Sequence, residues 1–459
     1  MLTYTLDRNK GHLSKELYEA LKRDIEEGKM KSGEKLPSKR AFARNCGVST
    51  ITVQNAYDQL VSEGYVSAIE KKGYYVTKEG GKKKSKVLFS IEEEEENPSP
   101  EFIDLSNNRI KEANFPFSIW SRLMRKTMAE KQNMLLRHMN TEGVLELRRA
   151  ISHHLSSFRG MAVSPSQILV GAGTEYLYSL IIQLLGRDKL YAIEDPGYIK
   201  LEKIYKANGV QSTRVELDHK GLSVMKLDAS SADIAHISPN HHYPTGITMP
   251  LDRRYEILSW ASKKEGRYII EDDYDSEFRV SRNPIATLYT LDTSGSVIYM
   301  NTFSKSLAST VRISYMVLPE ELSLVLKENF SFYSSTVSSF EQYTLASFID
   351  EGYFEKHINR MRLYYIRQRK AVLSLLSSGP LKDKCSVIEN DSGLHFILRL
   401  STDKRDEEVK DILLREGIKI SALSDFSHTS SISHDFIISY SNLDIEAFKR
   451  ALVILSQNI

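Results

Sequence analysis

Only two of the 459 residues are cysteines, Cys46 and Cys385. That is too few for a disulfide framework and fits a reducing compartment. No apolar run approaches the ~20 residues a membrane helix needs; the longest, around Tyr176–Leu185, is about half that. The first eleven residues lack the basic-then-apolar pattern of an export signal. Neither sign of charge dominates, with a formal net charge of +2. A composition that is 41% hydrophobic and 27% charged excludes collagen-like, coiled-coil and wholly disordered chains. The expectation is a soluble cytoplasmic protein with no membrane partner, of two to four domains at ~100–200 residues each.

The near-neutral total hides an asymmetry. Residues 1–86 hold 18 Lys and Arg against 11 Asp and Glu, while the remainder holds 44 against 49. A basic head on a slightly acidic body suggests that the head alone meets a polyanion. Between them lie the basic cluster Lys82–Lys86 and five consecutive acids, Glu92–Glu96. Neither can bury apolar surface, so residues 78–101 read as a solvated linker between a head at 1–77 and a body at 102–459. No internal repeat of fixed period is present.

In the head, Leu13, Leu17, Leu21 and Ile25 form one stripe of an amphipathic helix. Ser38 is placed to cap a short helix ending near Asn45, Gly47 to make a tight turn, and Ser49 to cap a longer helix. In that helix Val53, Ala56, Tyr57, Leu60 and Val61 follow helical spacing, leaving Thr50, Thr52, Gln54 and Asn55 on the other face. Two β-rich runs, Tyr65–Ile69 and Tyr74–Val76, follow as a hairpin with the basic tip Lys71-Lys72-Gly73. Two helices across a short turn and then a basic hairpin outline a winged helix-turn-helix, its second helix suited to a major groove. Lys39, Arg40, Arg44, Lys71 and Lys72 would supply phosphate contacts.

From Leu36-Pro-Ser-Lys-Arg40 through Val48-Ser-Thr-Ile-Thr52 to Gly73, the segment resembles the DNA-binding domain of the GntR regulators. The resemblance spans residues 11–77. It implies that Ser38, Arg40, Ser49, Thr50, Thr52 and Gly73 meet DNA, alongside Gln54, Lys71 and Lys72 from the reading above.

The body alternates short apolar strands with helices. Ile168–Val170, Ala235–Ser238, Tyr268–Ile270 and Val297–Met300 are strand candidates, implying a mainly parallel α/β sheet covered on both faces. The last 90 residues, with strand candidates Leu394–Leu400 and Phe436–Tyr440, read as a smaller α+β lobe. Gly171-Ala-Gly-Thr174 leaves a strand and opens an apolar helix, a geometry that suits an anion but is common by itself. Glu271-Asp-Asp-Tyr-Asp275 places acids at the carboxyl end of a strand, where ligands bind in such sheets. Thr302-Phe-Ser-Lys-Ser306 with Arg312 offers an amine, hydroxyls and a guanidinium together.

In this order and spacing the motifs resemble the fold-type I aminotransferases, with further support from Asp195-Pro-Gly-Tyr198 and Tyr243-Pro-Thr-Gly246. The resemblance implies pyridoxal 5′-phosphate (PLP) as cofactor, with Lys305 forming the internal aldimine. Asp272 would pair with the ring nitrogen, Tyr274 with the ring oxygen, and Tyr198 would stack on the ring. Gly173, Thr174, Thr302, Ser304 and Arg312 would hold the phosphate. A GntR-like head on an aminotransferase-like body resembles the MocR/GabR family of bacterial regulators. That likeness implies a domain-swapped homodimer that binds promoter DNA and senses a small ligand at Lys305, without being an enzyme in its own right.

Two positions depart from the family's GABA-responsive regulator, which holds its effector's carboxylate with two arginines. Lys200 and Asn442 stand there in this chain. A neutral asparagine cannot act as a bidentate cation, so GABA is not the expected effector. PLP itself, a D-alanine-type compound or another amine remains. Tyr243 stands where many aminotransferases have an asparagine, which further weakens the enzymatic case. The rival reading is a working aminotransferase with a vestigial head. The histidine pairs His153-His154 and His241-His242 lack a ligand set at metal spacing, and no metal is expected. His242, beside the Tyr243-Pro-Thr-Gly246 turn, is placed to line the cofactor pocket.

Overall fold

Apolar spacing in the head becomes three helices, α1 (Leu13–Glu26), α2 (Lys39–Cys46) and α3 (Thr50–Ser62), followed by strands β1 (Val66–Ile69) and β2 (Gly73–Val76). The structure, a computed structural model, describes residues 4, 6, 12–77, 103–106, 111–278, 285–388, 393–428 and 434–459. Most of the expected linker, 78–101, lies outside the described residues. The chain divides into two compact units, Met1–Ser99 and Pro100–Ile459.

Within the first unit, Leu17, Leu21 and Ile25 of α1 are fully buried against Val53, Ala56, Tyr57 and Leu60 of α3. Each such side chain contributes roughly 1.5–3 kcal/mol of burial. Phe42 stacks on Tyr57 with ring centroids 6.0 Å apart, and the Tyr57 hydroxyl donates to the Pro37 carbonyl at 3.0 Å, fixing α2 on α3. Both serines cap as their positions suggest: Ser38 Oγ accepts from Ala41 N at 3.3 Å and Ser49 Oγ from Thr52 N at 3.1 Å. Gly47 takes the left-handed conformation (φ 63°) that ends α2. Strands β1 and β2 pair antiparallel, with Val66 opposite Val76.

The second unit is built on an eight-stranded sheet. In chain order the strands are β3 (Ile168–Gly171), β4 (Leu190–Asp195), β5 (Gln211–Asp218), β6 (Gly221–Leu222), β7 (Ile234–Ile237), β8 (Tyr268–Asp272), β9 (Val297–Thr302) and β10 (Ser314–Val317). Their spatial order is β3-β10-β9-β8-β7-β4-β5-β6. The run from β9 to β5 is parallel, whereas β10 lies antiparallel between β9 and β3. Successive side chains on a strand alternate between faces. Ile270, Ile298 and Met300 therefore pack on Leu177 and Ile181 of the helix Thr174–Leu185. Ile269 and Val297 pack on Ile257 and Trp260 of the helix Leu251–Ser262. Apolar helices thus cover both faces of the sheet.

A four-stranded antiparallel sheet forms the smaller lobe, in the order Cys385–Ile388, His395–Leu400, Asp435–Ser439, Ser421–Ala422. The helix Ile445–Asn458 buries Phe448, Leu452 and Leu455 in the core that this lobe shares with the main body. Among the described residues no helix is long and apolar enough to cross a membrane.

Candidate functional site

The first unit presents a polar face on α3. Thr50 and Ser49 are exposed at its start, as are Arg40 on α2 and Lys71 and Lys72 at the hairpin tip. Lys71 itself holds a positive φ of 60°, a turn conformation between β1 and β2. Ser38 and Ser49 accept from the backbone of their own helices, and Ser49 Oγ and Thr52 Oγ1 lie 2.8 Å apart. Gln54 is also engaged: its carbonyl accepts from Lys39 Nζ and its amide donates to Asp58 at 2.7 Å. Gly73 opens β2 with φ 113°, and a Cβ there would come within 3.2 Å of the Lys35 side chain.

In the second unit, parallel strands bring their carboxyl ends to one edge, and the chemistry-bearing motifs follow from there. Asp272 ends β8, paired in register with Met300 of β9, and Lys305 lies five residues further on, in the short helix Phe303–Ser306. Asp272 Oδ2 accepts from the Tyr178 hydroxyl at 2.5 Å and lies 3.5 Å from His236 Nε2. Tyr205 in turn lies 2.6 Å from His236 Nδ1. The second carboxylate oxygen, Oδ1, is buried with no hydrogen-bond partner among the described residues. Such an oxygen is an acceptor waiting for a donor. Burial pushes the Lys305 amine below the usual lysine range, with the Asp275 charge opposing the shift. A larger neutral fraction makes that amine a better nucleophile.

The acid run after β8 separates by direction. Glu271 accepts from the backbone of Leu288 and Tyr289 at 3.1 and 3.0 Å and sits 3.7 Å from Arg254. Asp273 is buried in an ion pair with Arg159 and accepts from Tyr299 at 2.6 Å. These two build the fold, while Asp272 bonds Tyr178, and Tyr274 and Asp275 both meet His241. His241 Nδ1 lies 2.8 Å from Asp275 Oδ2 and 3.2 Å from the Tyr274 hydroxyl. Its ring is 4.9 Å from that of His395, on the smaller lobe. Gly393 leaves room for it, since a Cβ there would run into the His241 ring. His242 turns elsewhere, to Thr245 Oγ1 at 2.7 Å and Glu194 Oε2 at 3.4 Å. The histidine that reaches Tyr274 is thus His241.

Around the glycine turn, Gly173 (φ 86°) precedes the helix that Thr174 opens. Arg312 reaches Glu175 Oε2 at 2.5 Å, and Lys200 pairs with the other oxygen of Glu175. Thr302 is buried and its hydroxyl is already used, accepting from Ser304 N at 3.1 Å and from Ser314 Oγ at 2.8 Å. Ser304 Oγ donates to the Val311 carbonyl at 3.1 Å. Tyr198 is 47% exposed, its ring open for stacking. Asn442 is half-buried after the strand Asp435–Ser439. Among the described residues no cluster of three or more metal-type ligands occurs. Tyr178, His236 and His395 carry no motif of their own; Tyr178 and His236 are marked by their nearness to Asp272, and His395 by its nearness to His241.

Comparison with known proteins agrees with this division. Residues 13–76 match the bacterial regulatory proteins of the gntR family, and residues 100–455 match aminotransferase class I and II. The chain is 34% identical over 415 residues to the HTH-type transcriptional regulator YdeL of Bacillus subtilis, covering 90% of this chain and 89% of that protein. It is 28% identical over 448 residues to the HTH-type pyridoxine biosynthesis transcriptional regulator PdxR of Corynebacterium glutamicum, covering 97% and 95%. The probable rhizopine catabolism regulatory protein MocR of Rhizobium meliloti is 28% identical over 456 residues, covering 96% and 92%. Among solved structures, kynurenine aminotransferase of Pyrococcus horikoshii shares the fold with a TM-score of 0.68 at 22% identity, covering 79% of this chain and 92% of that one.

Proposed function

Since this chain belongs to the MocR/GabR-type transcriptional regulators, we propose that its body uses PLP to sense a small ligand rather than to turn one over. Its head binds DNA, and the cofactor of its aminotransferase-type body is PLP. The observations that carry the site are Asp272 Oδ1, buried without a hydrogen-bond partner among the described residues, and the sheltered Lys305 amine. A pyridinium N–H is the donor this oxygen lacks, and an aldehyde is the electrophile this amine suits. When bound, PLP supplies an aldehyde that condenses reversibly with amines.

The chain's own residues would then act as follows. Asp272, braced by Tyr178, keeps the ring nitrogen protonated. Tyr274, against His241, donates to the ring oxygen, and Tyr198 covers the ring face. Gly173, Thr174, Thr302, Ser304 and Arg312 hold the phosphate, Thr302 through the short helix it caps. Lys305 would supply the amine for that aldehyde, and Asp275 is the acid that favours the charge of the free amine. His395 places the smaller lobe against this group, a route by which occupancy can reach the rest of the body.

The effector proposed is PLP itself or an amine such as a D-alanine-type compound. Support for PLP comes from the regulator of pyridoxine biosynthesis among the relatives. Lys200, held by Glu175, and the neutral Asn442 argue against GABA and against efficient transamination. A homodimer with exchanged heads, acting in the cytoplasm on promoter DNA, completes the proposal. The test titrates PLP, then amines and small peptides, against the visible spectrum, with operator binding followed by fluorescence anisotropy. Lys305→Ala is expected to bind operator as the parent does while losing both the spectral response and the ligand's effect on DNA. A variant that still responds to ligand would overturn the mechanism. Steady-state keto-acid production from an amino donor would favour the aminotransferase reading instead.

A further inference from the structure

The turn expected to take the cofactor phosphate already contains an anion of the protein's own. Glu175 Oε2 accepts from Arg312 Nη2 at 2.5 Å, while Oε1 pairs with Lys200. A Cβ on Gly173 would stand 2.5 Å from Arg312 Nη2 and 3.1 Å from Glu175 Oε2. Glycine, guanidinium and carboxylate therefore share one small space. Burial works against the charge on Glu175, but Lys200 and Arg312 overcome it and hold the carboxyl at about 2. The arginine expected to hold phosphate and the lysine expected to meet an effector are thus engaged by the same carboxylate.

A phosphate dianion arriving here has to take Arg312 from Glu175. We propose that Glu175 is a built-in competitor for the cofactor phosphate, which weakens PLP binding and ties phosphate occupancy to Lys200. The proposal rests on the PLP site described above. Lys200 moderates the competition: it gives Glu175 a partner to keep when Arg312 leaves. Without Lys200, the carboxylate holds Arg312 harder and repels the phosphate without compensation. An enzyme keeps its cofactor loaded, whereas a regulator that measures PLP needs occupancy that follows concentration. A resident anion shifts the binding constant in that direction without altering the groups that recognise the ring.

The test titrates the full-length chain with PLP and, separately, with pyridoxal, which lacks the phosphate, following visible absorbance. Glu175→Gln is expected to tighten PLP roughly three- to thirtyfold, the range of a charge-assisted contact in a partly exposed setting. Pyridoxal binding is expected to stay unchanged. Glu175→Ala should move PLP in the same direction, and inorganic phosphate should compete better in both variants. Lys200→Met is expected to weaken PLP binding, and the Glu175→Gln/Lys200→Met double variant to recover it. PLP binding no tighter in either Glu175 variant would overturn the proposal, as would an equal gain for pyridoxal. If neither parent nor variants bound PLP or pyridoxal, the assignment of the site would fall and this inference with it.

Discussion

Glu194 is enclosed near the end of β4, where burial pushes its carboxyl up to about 8 against the Ser238 N–H that bonds it. Its folded value lies above the ordinary 4.5, so the folded state prefers the protonated form. The stability this group contributes is complete below about 4.5 and is lost as pH rises through about 8. Glu194→Gln keeps an acceptor for Ser238 and removes the ionisation. It is expected to melt with the parent at pH 4 and measurably above it at pH 8, as thermal unfolding across that range would show. His242 and His395 work from the other side: burial lowers both to about 3. Their folded states prefer the neutral ring, so their contribution is present above the ordinary 6.5 and falls away toward pH 3. None of these environments is written beside the residue in the chain. Glu194 resembles any strand acid until β7 and the His242 loop close over it.

The segment that ends β8 shows the same point for a whole element. The acid run and its resemblance name Asp272 and Tyr274 as expected cofactor contacts, but Asp273, between them, serves the fold instead. It joins the helix Leu145–Arg159 to the sheet through Arg159, whose side chain is 3% exposed. Arg159→Leu leaves the Asp273 carboxylate buried with Tyr299 and Ser276 as its side-chain donors among the described residues. Breaking one side of such a pair is expected to cost about 3–5 kcal/mol. Chemical denaturation should show this in the second unit, while the first unit's transition stays in place. In the head, the helical spacing and the two serine caps were readable because they are local: cap and capped N–H lie three residues apart. The Gln54 bond to Lys39 was not, since it depends on how α2 crosses α3.

At the scale of the molecule, a basic head and a ligand-sensing body are coupled only if occupancy of one changes the free energy of the other. Linkage makes that coupling reciprocal. If PLP alters operator affinity by some factor, about 5–150-fold in typical systems, operator DNA must alter PLP affinity by the same factor. Anisotropy titrations with and without PLP, set against spectral titrations with and without operator, should return equal factors. A change in neither would show that the two units act independently.

Periodicity, caps and the charge imbalance determined, from the chain alone, a DNA-binding head, an α/β body and the order of its motifs. These are properties of residues a few positions apart, where backbone geometry fixes the outcome. Folding alone decided which members of each motif meet one another across the chain. Glu175 meets Arg312 across 137 positions and Tyr178 meets Asp272 across 94. Only the crossing of helix and strand brings such side chains within bonding distance and removes the water that would otherwise screen them.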